Sequence, residues 1–256
     1  MAADIIQTSV CNVSVDQRVR GGTGPAVLCV RGIWAPRDYL NELFEAFPEE
    51  DIVIGDIPGM WTPAPTPSTP AVFAKAYDEV VARLFPGRPV VVLGVSTGAL
   101  ITLGMRAPGI RAQVAVEPFL STADVWPLVD SMRERMRGYP ITAPYIKELF
   151  GIAPDALDQL DFSPLLSGTS TPIYSIVGKV PLGERRELQS GWPSFASQAT
   201  RERLAALGKV YEGPASSGHN ITRDVVGWAL IAQVLRQALH VASAASASAE
   251  QEAAAR

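Results

Sequence analysis

Ser96 stands in Gly94-Val95-Ser96-Thr97-Gly98, a G-x-S-x-G spacing. The apolar run Pro89–Leu93 (PVVVL) precedes it, and the helix-compatible Ala99–Met105 follows. A serine on so tight a strand-to-helix turn needs glycine two positions to either side, because side chains there would hold strand and helix apart. The following helix aims its free N–H groups at the turn, where they can meet developing negative charge. Such a serine can attack a carbonyl, but its hydroxyl is a weak nucleophile until a base takes the proton. The chain has two histidines. His219 follows Gly218 in a loop after a short apolar run, and the order serine, acid, histidine along the chain favours it as the base. His240 falls on the closing helical pattern and reads as a solvated or packing residue.

These residues need a frame to position them. Ile5–Val10 and Asn12–Val19 read as opening strands, Ala26–Val30, Asp51–Gly55 and Pro89–Leu93 as buried ones. Ala112–Val116, Thr171–Val177 and Lys209–Glu212 continue the series. Helical patterns cover Tyr39–Phe47, Ala71–Phe85, Ala99–Met105 and Val225–Val241. Strands unbroken by polar residues and alternating with helices predict an α/β fold: a mostly parallel sheet flanked by helices on both faces. The stretch between the sixth and seventh strands is longer than one crossover helix requires. Its helix-compatible pieces, Val125–Arg137, Ala143–Phe150 and Pro154–Leu160, predict a small helical cap. The expected division is a core of residues 1–117 and 171–241, a cap of 118–170 and a disordered tail of 242–256. Ala propensity in that tail would extend the preceding helix, but its small polar composition buries little.

The Ser96 turn in its strand–helix setting resembles the α/β-hydrolase superfamily, and three further motifs support the likeness. Cys29-Val30-Arg31-Gly32-Ile33-Trp34 follows the third strand, where the family usually carries His-Gly-x-x. Asp56-Ile57-Pro58-Gly59 resembles the family's D-x-P-G turn, and Ser217-Gly218-His219-Asn220 its Gly-His motif. The resemblance implies a serine hydrolase that cleaves an ester or thioester through an acyl-enzyme on Ser96. It implies an oxyanion hole from the backbone N–H groups of Ile33 and Thr97.

The acid departs from the pattern. The family usually places an Asp shortly after the seventh strand, but Pro181 occupies that position and no Asp occurs from Phe162 to Arg223. Glu117, at the end of the sixth strand, is the preferred candidate; Glu184 and Glu187 remain alternatives, as does an incomplete triad. The Glu117-Pro118-Phe119 and Asp124-Val125-Trp126-Pro127 segments are similar to the haloalkane dehalogenases, whose acid also follows the sixth strand. Those enzymes use an elbow Asp, so Ser96 argues against dehalogenation and against epoxide opening. A structural reading of Glu117 would pair it with a cap arginine such as Arg133.

Trp34, Trp61, Phe119 and Trp126 are the expected substrate-binding residues, which suggests an apolar or amphipathic acyl group on a small-molecule substrate. Acyl transfer to an alcohol or amine at the same site is an alternative, and a ligand-binding relative with little catalysis is another. The formal net charge is -4 with no Lys/Arg cluster, so neither nucleic acid nor an anionic membrane is an expected partner. No apolar run approaches the roughly 20 residues of a membrane span, and the N-terminus lacks a signal-peptide pattern, so the default is a cytoplasmic protein. Cys11 and Cys29 read as buried thiols in strands. The histidines and cysteines form no metal site, and the chemistry calls for no cofactor. The sequence is silent on oligomeric state.

Overall fold

The computed structural model describes residues 3–138, 143–179, 193–215 and 217–254. Strands β1 (Asp4–Gln7) and β2 (Asn12–Arg18) open the chain, followed by β3 (Ala26–Val30), helix α1 (Glu42–Ala46) and β4 (Ile52–Gly55). Next come α2 (Pro70–Leu84), β5 (Val90–Val95), α3 (Thr97–Gly104) and β6 (Ile110–Val116). Helices α4 (Val129–Gly138) and α5 (Ala143–Phe150) lie between β6 and β7 (Ile173–Val177). The chain ends with α6 (Gln198–Ala205), β8 (Gly208–Glu212) and α7 (Val225–Ala254).

The sheet has eight strands in the order β1-β2-β4-β3-β5-β6-β7-β8. β1 and β2 pair antiparallel, as do β2 and β4; every other pairing is parallel. The strand period of two explains how both faces are filled. Leu28, Val30, Val90 and Val92 pack with α2 and α3 through Phe73, Tyr77 and Leu100. Val27, Cys29, Val91 and Leu93 pack on the other face with Leu43 of α1 and with Ile231 and Leu235 of α7. Because both faces are covered, β3 and β5 are fully apolar, as expected of central parallel strands.

Several elements differ from the sequence expectation. The first strand stops at Gln7, and the helix expected over Tyr39–Phe47 is confined to Glu42–Ala46, where Leu40 at φ 76° breaks the pattern. The helix expected over Val125–Arg137 starts as a 3₁₀ turn over Thr122–Leu128 before α4; Pro127 lacks the N–H that an α-helix would use. Pro154–Leu160 is not helical. Its backbone is drawn into other bonds: Ile152 bridges Leu157, Asp158 N donates to Gly151 O at 2.7 Å, and Leu160 N donates to Thr122 Oγ1 at 2.8 Å. Helix α6 was not anticipated, because only Thr200, Arg201 and Leu204 of its eight residues are buried and no apolar stripe marks it.

The segment expected to be a disordered tail continues α7 as far as Ala254, with Ala242 still fully buried, so alanine propensity prevails there. Val225–Ala245 of α7 is long and apolar enough to cross a membrane by length and composition only, and Gln233, Arg236, Gln237 and His240 interrupt its apolar run. Its apolar face, Ile231, Val234, Leu235 and Ala238, is instead buried against the sheet. Cys29 is buried and Cys11 half-buried, both as free thiols, and burial pushes each thiol pKa up.

Candidate active site

Ser96 caps α3 with φ 55° and ψ -121°, a conformation that L residues rarely adopt. The two flanking glycines permit it. A Cβ on Gly94 would lie 2.3 Å from Gly98 O, and one on Gly98 would lie 2.2 Å from Val30 O. Either contact would force β5, α3 and β3 apart. Ser96 N donates to Val116 O at 2.8 Å, which ties the turn to the end of β6.

Glu117 follows directly. It is fully buried, with φ 53°, and its N–H donates to Ile176 O on β7 at 2.8 Å. Among the described residues its carboxylate accepts four hydrogen bonds. Oε1 takes Gly178 N and, at 2.8 Å, Ser194 Oγ. Oε2 takes Phe195 N at 3.0 Å and faces His219 Nδ1 at 3.3 Å. Non-glycine residues at positive φ cost about 1–3 kcal/mol each and persist where the surroundings over-determine them. Among the described residues they are Trp34, Leu40, Ser96 and Glu117, and three of these four border the site.

His219 lies in the loop after β8, its side chain 15% exposed, stacked on Phe195 with ring centroids 3.8 Å apart. Ser194, which supports Glu117, is itself fixed by Arg201: Nη2 reaches Ser194 Oγ at 3.1 Å and Nε donates to Ala196 O at 2.9 Å. Arg133, the alternative partner for Glu117, instead donates to Ala153 O at 3.0 Å. Glu184, Glu187 and Pro181 lie outside the described residues. His240 is exposed on α7.

Arg31, standing where the resemblance expected histidine, takes no part in the cavity. Its guanidinium is buried and donates to Asp16 Oδ2 at 2.6 Å, Asp56 Oδ1 at 2.9 Å, Arg37 O at 2.6 Å and Tyr39 O at 3.0 Å. It thereby pins the loop that carries Gly32, Ile33 and Trp34 to the ends of β2 and β4. The Tyr39 hydroxyl bonds Thr222, three residues beyond His219, so the same anchor reaches the histidine loop. Burial pushes the Tyr39 phenol pKa up, and the Thr222 hydrogen bond and nearby Arg223 partly offset this.

Ser96, His219 and Ile33 line one cavity of about 330 Å³. Trp34, Tyr39, Phe195 and Arg223 also line it, and Met132 and Phe150 close it from the insertion between β6 and β7. No hydrogen bond joins Ser96 to His219 among the described residues; catalytic contacts are often loose without substrate. Thr97 opens α3, so by position its N–H has no acceptor within the helix.

Of the four aromatic residues expected at the pocket, only Trp34 lines it. Phe119 is fully buried behind the wall, 5.9 Å from Phe150 and 6.1 Å from Phe162. Trp126 packs against the core, and Trp61 is 52% exposed with Arg37 over its ring at 5.3 Å. Apolar spacing marked these residues as packed without saying on which surface. Ser194, Phe195, Arg201 and Phe150 carry no local motif that signals them; Met132, one of the residues at near-helical spacing after the sixth strand, does line the cavity.

The architecture is shared by solved structures at low sequence identity. An esterase from Thermogutta terrifontis, in a malate-bound structure, superposes with a TM-score of 0.63 at 15% identity, covering 94% of this chain and 99% of that one. The thioesterase domain from the curacin biosynthetic pathway gives a TM-score of 0.58 at 16% identity, covering 91% and 98%. A loop variant of the haloalkane dehalogenase DbeA from Bradyrhizobium elkanii gives 0.61 at 15% identity, covering 96% and 99%. No curated protein matches the sequence. The model of the alpha/beta hydrolase family matches residues 24–253, nearly the whole of the chain, and the protein belongs to that family.

Proposed function

We propose that this protein is a serine hydrolase that cleaves a small ester or thioester through an acyl-enzyme on Ser96. The observation that carries this reading is the approach of Glu117 Oε2 to His219 Nδ1 at 3.3 Å, across 102 residues of sequence, beside a cavity that also holds Ser96. A carboxylate on Nδ1 fixes the imidazole tautomer with its proton there, leaving Nε2 free to accept the Ser96 proton. Ser96 Oγ then attacks the substrate carbonyl. The Thr97 and Ile33 N–H groups receive the oxyanion, His219 returns its proton to the leaving group, and water reverses the sequence.

The aromatic and apolar lining, Trp34, Phe150, Phe195 and Met132, favours an acyl group with apolar or amphipathic character, and the cavity volume is at the small end of the range for ligand sites. A fluorophosphonate probe tests the proposal. It should label Ser96, mapped by peptide digestion, and Ser96→Ala should abolish both labelling and ester turnover. Labelling that survives Ser96→Ala refutes the assignment.

A further inference from the structure

Among the described residues, Arg223 is the one side chain of fixed charge on the wall of the Ser96 cavity, and no described carboxylate lines it. The rest of the lining is aromatic, apolar or neutral polar apart from His219. Among the described residues Arg223 forms no ion pair. Acids are near: Asp38, Glu42 and Asp224 share an adjoining cavity of about 450 Å³ with it. The closest in sequence is already engaged, since Asp224 Oδ1 accepts Val226 N at 2.9 Å and Gly227 N at 3.0 Å at the start of α7. The backbone beneath Arg223 is fixed relative to the histidine. Arg223 N donates to Asn220 O at 2.9 Å, and Thr222 bonds the Tyr39 hydroxyl of the opposite loop. An unpaired guanidinium is thus anchored on the same short turn as His219 and faces the space a substrate would fill.

We propose that Arg223 forms an anion subsite and that the substrates are small esters or thioesters bearing a carboxylate. The planar fork of the guanidinium matches a carboxylate through two parallel hydrogen bonds, which a neutral ester cannot provide. Arg223 is solvent-exposed, so screening limits its effect; we expect a discrimination of about tenfold, or about 1.4 kcal/mol. The choice of ester as ligand rests on the acyl-enzyme reading, whereas the subsite does not.

Two matched pairs test it. Mono-4-nitrophenyl adipate against its methyl ester places the charge on the acyl side. 3-Carboxyphenyl butyrate against its methyl ester places it on the leaving group. In one pair kcat/KM should favour the charged member about tenfold, less so as ionic strength rises, and the pair that responds identifies the side. Arg223→Gln should bring that ratio close to one, and Arg223→Glu should invert it. Arg203→Gln, on a separate cleft that shares no lining residue with this cavity, should leave it unchanged. Calorimetric binding of the charged esters to Ser96→Ala, with and without Arg223→Gln, reads the subsite without turnover. Weaker binding in the double variant of a protein that hydrolyses neither pair keeps the subsite and overturns the acyl-enzyme reading. Ratios near one in both pairs, with binding indifferent to Arg223→Gln, overturn the subsite.

Discussion

Glu117→Gln separates a catalytic carboxylate from a structural one. The wild-type carboxylate accepts from four donors: Gly178 N and Ser194 Oγ on one oxygen, Phe195 N and His219 Nδ1 on the other. An amide has one accepting oxygen and one NH₂, and it can be placed in two ways. With NH₂ toward His219, it confronts the Phe195 N–H and forces Nδ1 to accept, so the imidazole proton moves to Nε2. That tautomer cannot take the Ser96 proton, and the loss for such a change is about four orders of magnitude in kcat. With NH₂ toward Gly178, the Ser194 hydroxyl can rotate to accept, the tautomer survives, and only stabilisation of the imidazolium is lost.

Each placement leaves one backbone N–H facing a donor, Phe195 in the first and Gly178 in the second. A buried unsatisfied group costs about 1–3 kcal/mol. For a domain of this size that corresponds to a fall in Tm of about 2–12 °C. The expected outcome is a folded protein with a modestly lowered Tm and kcat reduced by roughly three to four orders of magnitude. Differential scanning fluorimetry and steady-state ester hydrolysis measure the two effects on one preparation. A kcat within tenfold of wild type, on a protein with the predicted fall in Tm, would show that Glu117 is structural and that the reasoning from tautomer to activity is wrong.

Other perturbations follow from the same contacts. Arg31→Met leaves Asp16 buried without its cation and Asp56 with only Arg37 at 3.9 Å, which costs about 3–5 kcal/mol; thermal denaturation should show a Tm lower by about 6–20 °C. Fluorophosphonate labelling of Ser96 in that variant should slow as the Ile33 loop loses its anchor. Gly98→Ala should abolish soluble expression or labelling, because its Cβ would sit 2.2 Å from Val30 O; Gly138→Ala, with nothing within 4 Å, should be neutral or stabilise by roughly 0.5–1 kcal/mol. Burial acts to raise the Asp51 pKa, but the N–H groups of Arg20 and Gly22 and the Arg88 guanidinium at 2.5 Å outweigh it and hold the carboxyl below its ordinary value. A depressed folded pKa contributes stability that is present above the unfolded pKa and lost as pH falls through the folded one. Asp51→Asn should therefore lower Tm at neutral pH, with the gap closing below the ordinary carboxylate range in a pH series of melts.

What the sequence disclosed depended on how local each feature is. Ser96, its glycines and the flanking strand and helix form one contiguous stretch, so spacing alone specifies the turn. His219 was legible because the chain has only one other histidine. Glu117 was legible by its place at a strand end, but the donors that hold it come from Ser194 and Phe195, 77 and 78 residues away, and no pattern announces them. The stretch between β6 and β7 was legible only in part: two helices form there, but Pro154–Leu160 is not helical. Residues at helical spacing there signal packing but not direction, so the pattern does not separate Met132, which lines the cavity, from Phe119 and Trp126, which do not. The acidic partners of Arg31 are 15 and 25 residues distant, and an isolated arginine in an apolar motif gives no sign of a buried ion pair.

The two sides of the cavity are held by different means, and this bears on where activity is vulnerable. On one side an ion network centred on Arg31 fixes the loop of Ile33 and Trp34 and, through Tyr39, reaches Thr222. On the other, Glu117 gathers the ends of β6 and β7, the Ser194–Phe195 segment and His219 around one carboxylate. The left-handed backbone of Glu117 costs free energy that a glycine would not, so stability alone does not favour a glutamate at that position. Four converging donors offset the strain, and three of them are ordinary structural bonds. The fourth goes to His219, a partly exposed residue whose removal would leave the other three intact. The Glu117–His219 contact is thus the part of the arrangement that folding does not require, and it is there that a chemical role for this pair is to be sought.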